Sequence, residues 1–129
     1  TYLITTPAGH ILINTGIGDT TNQIKAGVEQ LGFKLSDVKI LTATHGHYDH
    51  TAGLAALKRM TGARLLVNAA DPELFESGGT TDFLWGGRTE MHFEPVKVDG
   101  TFTDGQTIAL GGTTLTAHHH PGHSKGATS

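Results

Sequence analysis

Residues 45 to 50 read His45-Gly46-His47-Tyr48-Asp49-His50, and no other stretch of the chain restricts its fold and chemistry as tightly. Few purely structural needs call for three imidazoles and a carboxylate within six residues. A second cluster, His118-His119-His120-Pro121-Gly122-His123, follows some seventy residues later, and the two together hold seven of the nine histidines. The chain has no cysteine, so any metal is held by nitrogen and oxygen, with no thiolate and no disulfide involved. Zinc suits imidazole and carboxylate ligands, and three protein ligands plus a water is the plan of a catalytic zinc site. In an extended turn His45 and His47 point to one side. Asp49 and His50 can then turn toward a neighbouring position, so one segment can serve two metals, and His123 closes the first site from another strand.

The surrounding pattern predicts where the motif sits. Tyr2-Leu3-Ile4 and Ile11-Leu12-Ile13 read as strands around a Pro7-Ala8-Gly9 turn. Ile24, Val28 and Leu31 recur at helical spacing after a possible N-cap at Thr20 or Thr21, and Gly32 ends that helix. Val38 to Thr44 is a short apolar, β-branched run that leads straight into His45, which puts the motif at a strand's carboxyl end. Leu54, Leu57, the Lys58 stem and Met60 predict a second helix ending at Gly62, followed by a strand from Arg64 to Val67. Asp71-Pro72-Glu73 reads as a helix N-cap, a proline at the first helical position and an acidic first turn. Ser77 to Pro95 is a glycine-rich loop bearing Phe83, Leu84 and Trp85, either an apolar wall over a substrate or, for Trp85, packing that pins the loop down. Thr107–Leu110 and Thr113–Ala117 form a hairpin through Gly111-Gly112.

A length of 129 residues with 36% hydrophobic and 16% charged residues suits one globular domain. The net charge of −3, without basic blocks, offers no footprint for nucleic acid and favours a small-molecule partner. No apolar run reaches the roughly 18 residues of a membrane span, and no leader of the secretory kind opens the sequence, which leaves export open. Consecutive side chains alternate faces, so at least one of His118, His119 and His120 is expected to face solvent. The isolated His10 and His92 are expected to be exposed or singly hydrogen-bonded.

His45-Gly46-His47-Tyr48-Asp49-His50 followed by His120-Pro121-Gly122-His123 resembles the metallo-β-lactamase superfamily. The stretches Tyr2–Pro7, Ile11–Gly16, Gly78–Phe83 and Leu110–Ala127 are similar to class B β-lactamases of subclass 3. The resemblance implies an α/β (α+β) fold, the αββα sandwich, of which residues 1–129 would be an incomplete domain, mostly its N-terminal half. It implies two zincs, one held by His45, His47 and His123, the other by Asp49, His50 and a histidine beyond this chain. Asn14 stands where many members have aspartate, a change that can alter the hydrogen bonding behind the ligands.

The function implied is zinc-dependent hydrolysis of the β-lactam amide bond, inactivating β-lactam antibiotics in a periplasmic or secreted setting. Zinc supplies the nucleophile that a serine supplies elsewhere, and Asp49 orients it and relays its proton. The alternatives are a glyoxalase-like thioester hydrolase or lactonase on the same fold, or a zinc-binding remnant without turnover. The 129 residues alone are expected to bind zinc weakly and to be inactive.

Overall fold

Strands form where the β-branched and apolar residues concentrate, and their two faces divide cleanly. The computed structural model describes residues 1–18 and 20–129. Strand β1 (Tyr2–Thr6) pairs antiparallel with β2 (Gly9–Ile13). The sheet continues in parallel through β3 (Val38–Thr42), β4 (Arg64–Asn68) and β5 (Gly100–Phe102), in sequential order. Each parallel step needs a crossover. These run through α1 (Thr21–Gln30), through α2 (Tyr48–Thr51) with α3 (Leu54–Thr61), and through α4 (Pro72–Glu76) with the loop that follows.

Side-chain alternation along the strands builds two cores. Leu12, Leu41, Leu65 and Val67 pack with Val28 of α1, Leu54, Ala55 and Leu57 of α3, and Phe75 of α4. Ile11 and Ile40 face the other way, against Phe102, Ile108, Ala117, Leu110 and Leu115. That second face is covered by the antiparallel hairpin of β6 (Thr107–Leu110) and β7 (Thr113–Thr116). The layers are therefore helices, main sheet and hairpin, which matches the expected mixed α/β sandwich. Full burial of a side chain such as Leu57 contributes about 1.5–3 kcal/mol, so the helical face anchors the sheet.

Several details differ from the sequence reading. Leu31 and Met60 lie outside, 67% and 46% exposed: Leu31 is the C-cap residue of α1, and the buried face of α3 is made by Leu54, Ala55 and Leu57. Thr20 occupies the N-cap position, but its hydroxyl donates to the Thr15 carbonyl at 2.5 Å rather than capping α1. Asp71 likewise precedes α4 without capping it. Strand β5 has only three residues and starts at a glycine, so no run of apolar residues announced it. His10 is buried at 6% exposure, edge-on to Phe33, because it points inward from β2.

Candidate metal centre

Strand β3 carries the chain to the carboxyl edge of the parallel sheet, where ligand sites of such sheets form. His47 is still extended, and α2 begins at Tyr48, so Asp49 and His50 lie on a helical turn rather than in an extended segment. That turn swings them beside His45. Between the two first histidines, a Cβ on Gly46 would lie 2.5 Å from Leu74 Cδ2 and 3.3 Å from Phe75 Cε2. Only a residue without a side chain lets α4 pack against the motif.

The structure brings all five sequence-predicted residues together. One nitrogen each from His45, His47 and His123 lie within 4.8 Å of one another, as do the ligand atoms of His45, Asp49 and His50. Three nitrogens at zinc bond lengths of 2.0–2.1 Å in tetrahedral array would be about 3.3 Å apart, so small movements suffice. His45 and His47 are 8% and 7% exposed, whereas His123 and Asp49 are open to solvent. His123 arrives on a turn past the isolated bridge of His119 with Thr128, not on a strand as the sequence suggested.

Proton positions follow from one backbone donor. The Thr44 N–H donates to Asn14 Oδ1 at 2.9 Å, which fixes the Asn14 oxygen toward Thr44. The Thr44 hydroxyl donates to the same oxygen at 3.3 Å and accepts from Nδ1 of His45 and of His50, each at 3.2 Å. Nε2 of both histidines then carries a lone pair. His45 Nε2 is buried with no hydrogen-bond partner, an arrangement that costs energy unless a cation accepts it. His50 Nε2 lies 3.4 Å from Asp49 Oδ2, a contact without hydrogen-bond geometry. Asn14 itself adopts φ 61°, a left-handed conformation that asparagine tolerates. It does so at the end of β2, where its side chain can reach under the motif.

Burial, followed by the neighbouring imidazoles His50, His47 and His123, lowers the His45 pKa from 6.5 to about 4. Burial is also the main cause that lowers His50. Both shifts favour the neutral imidazole, the form that ligates metal. The residues therefore fit a divalent metal with nitrogen and oxygen ligands.

Two carboxylates that the sequence reading gave no site role support the candidate ligands. Asp82, in the Gly78–Phe83 stretch, places Oδ2 3.1 Å from His47 Nε2. Asp71, read as a cap, accepts Gly126 N–H at 2.8 Å and the Ser124 hydroxyl at 3.3 Å, fastening the turn that follows His123. Neither role leaves a local sequence pattern, because each pairs residues over thirty positions apart.

A cavity of about 480 Å³ opens beside the motif, lined in part by Ile17, His47, Tyr48, Asp49, Trp85 and Met91. Its size and apolar walls suit a small organic molecule. Of the three large loop residues only Trp85 reaches it, while Phe83 and Leu84 are 61% and 54% exposed. His118 is exposed, His119 Nε2 bonds the Lys125 carbonyl at 2.8 Å, and His120 Nε2 pairs with Ser129 Oγ at 3.0 Å. None of the three joins the ligand clusters. His92, as expected, makes a single ring contact, Nε2 to the Gly86 carbonyl at 2.9 Å. Among the described residues no helix is long and apolar enough to cross a membrane.

Comparison with known proteins bears directly on this geometry. The chain is similar to native FEZ-1 metallo-beta-lactamase from Legionella gormanii, with TM-score 0.96 and 44% identity over 98% of this chain and 48% of that one. It is similar to the class B3 di-zinc metallo-beta-lactamase LRA-12 from an Alaskan soil metagenome, with TM-score 0.95 and 45% identity over 98% and 48%. Among curated proteins, the atrochrysone carboxyl ACP thioesterase nsrC of Aspergillus novofumigatus is 29% identical over 126 residues, 96% of this chain and 31% of that protein. The chain thus spans about half the length of these solved structures and under a third of the thioesterase. The sequence profile of the metallo-beta-lactamase superfamily matches residues 1–129, and the chain belongs to that superfamily, with its structural likeness to the class B3 β-lactamases.

Proposed function

We propose that these residues form the zinc-binding core of a β-lactamase that hydrolyses the β-lactam amide bond. The observation that carries the reading is the convergence of His45, His47 and His123 next to Asp49 and His50, at the mouth of an apolar-walled cavity. His45, His47 and His123 would hold one zinc, and Asp49 with His50 would contribute to a second. Zinc, when bound there, supplies a nucleophile at neutral pH and a Lewis acid for the charge that develops on the substrate.

The chain's own groups then have distinct tasks. Asp49, 61% exposed at its side chain and facing the cavity, is placed to accept a proton from the attacking water and hand it on to the departing amine. Trp85, Ile17 and Met91 shield the reacting carbonyl from bulk water and offer the substrate apolar surface. The Thr44 hydroxyl holds the rings of His45 and His50 in orientation, so that only small movements are needed when metal binds.

Identity near 45% to β-lactamases over almost the whole chain favours the β-lactam reading, and the weaker likeness to a thioesterase supports the second, hydrolysis of a thioester at the same centre. Comparing kcat/KM for a cephalosporin, a lactone and an acyl thioester, in the enzyme carrying these residues, separates them. The proposal requires the lactam to be preferred; a preference for thioester or lactone would overturn it. The same likeness supports a periplasmic or secreted setting, which cell fractionation tests.

A further inference from the structure

Among the described residues, Asp82 is the carboxylate that touches both a metal-ligand candidate and the backbone of the loop bearing Trp85. Its side chain is 2% exposed, and it has no cationic partner among the described residues other than the imidazole of His47. Oδ2 lies 3.1 Å from His47 Nε2. Oδ1 accepts the backbone N–H groups of Leu84 at 2.8 Å and Trp85 at 2.7 Å. The Asp82 carbonyl also accepts the Gly86 N–H at 3.0 Å, so the turn that presents Trp85 to the cavity is wound around this residue.

We propose that Asp82 is a positioning residue that couples the Trp85 loop to the metal centre, holding the His47 proton on Nε2 with one oxygen and the loop turn with the other. The proposal rests on the zinc reading above for its effect on metal, but not for its effect on the proton. A carboxylate oxygen only accepts, so the Nε2 facing it must donate. His47 is neutral when it ligates, which leaves Nδ1 with its lone pair directed at His123 Nε2, 3.1 Å away, on the side where the cluster converges. His47 is thereby bound to present the opposite nitrogen from His45 and His50, and a single buried carboxylate decides it. Because the same carboxylate holds the turn, a movement of Trp85 would loosen His47. By reciprocity, metal at His47 steadies the loop by the same free energy.

Asp82→Asn separates the two tasks with no change of shape. The Leu84 and Trp85 N–H groups require an acceptor, so the amide oxygen stays with them and the NH₂ turns to His47 Nε2. A donor at that point forces Nε2 to accept and moves the ring proton to Nδ1, where it blocks ligation. In metal-free protein, ring ¹⁵N NMR shifts should report Nε2–H for His47 in the wild type and Nδ1–H in Asp82→Asn. The zinc dissociation constant, measured by competition with a chromophoric chelator, should rise roughly 10–100-fold in Asp82→Asn. Trp85 is the single tryptophan, so its fluorescence reads the loop alone. Its emission should be unchanged in Asp82→Asn and red-shifted in Asp82→Ala, which loses both links. An Nδ1–H tautomer in the wild type, or wild-type zinc affinity in Asp82→Asn, would overturn the coupling. A wild-type protein with the Nε2–H tautomer that takes up no zinc would instead overturn the zinc reading and leave Asp82's hold on the proton established.

Discussion

Removing the Asp71 carboxylate should unfasten the turn around His123, and the cost can be worked from its contacts. Asp71 is 3% exposed and accepts two hydrogen bonds, from Gly126 N–H at 2.8 Å and the Ser124 hydroxyl at 3.3 Å. Gly126 approaches so closely that a Cβ there would lie 2.5 Å from Asp71 Cγ, leaving no space for another acceptor. In Asp71→Ala both donors lose their partner. An unsatisfied buried donor costs about 1–3 kcal/mol, so about 2–5 kcal/mol should be lost, with some relief from water entering the gap. Asp71→Asn keeps both bonds, its oxygen accepting from Gly126 and its NH₂ donating to Ser124 Oγ. Burial, the largest influence, raises the Asp71 pKa above its ordinary 3.8 despite those two bonds. The folded state therefore holds the Asp71 proton more tightly than the unfolded chain. The resulting stability is fully present below 3.8 and is lost as pH rises through the raised folded value. At neutral pH Asp71→Asn should match or exceed the wild type, and its advantage should disappear on acidification through that window. Urea denaturation of the three proteins from pH 4 to pH 8 measures this. If Asp71→Ala were as stable as the wild type, or Asp71→Asn as unstable as Asp71→Ala, the reasoning would fail.

Gly46→Ala should cost about 1–3 kcal/mol by overpacking against Leu74 and should lower metal affinity with it, read by thermal melting and chelator competition. Leu57→Ala, at a side chain fully buried under the sheet, should cost about 2–5 kcal/mol in denaturant titration while leaving the ligand spacing intact. The metal-free protein should lose stability as pH falls from 6.5 toward 4: His45 is held neutral in the fold at pH values where the unfolded chain already takes up its proton. A denaturation midpoint that stays flat across that interval would contradict the burial of His45.

How much was legible depended on how far apart the cooperating residues are in the chain. Local pattern sufficed for β1 to β4, for α1 and α3, and for the hairpin of β6 and β7, because apolar and β-branched runs mark the strands and helical spacing marks α1 and α3. The candidate ligands His45, His47, Asp49, His50 and His123 could be singled out because their residue types have few other uses at that spacing. What stayed hidden required long-range contacts. Asp71 looked like a helix cap since the residues it holds, Ser124 and Gly126, are more than fifty positions away. Thr44 looked like a strand end, although its hydroxyl orients two rings. Phe83 and Leu84 looked like pocket walls, but the turn wound around Asp82 sends only Trp85 inward. Short α2 was missed because histidine, aspartate and tyrosine give a poor helical pattern over four residues.

Metal analysis of the full-length enzyme carrying these residues, as the wild type and as His47→Ala, tests the central claim most directly. His47 is buried at the meeting point of His45, His123 and Asp82, and a methyl group cannot replace the nitrogen it would offer a metal. The account predicts zinc in the wild type and a marked loss in His47→Ala. Zinc content that is unchanged by the substitution would contradict it.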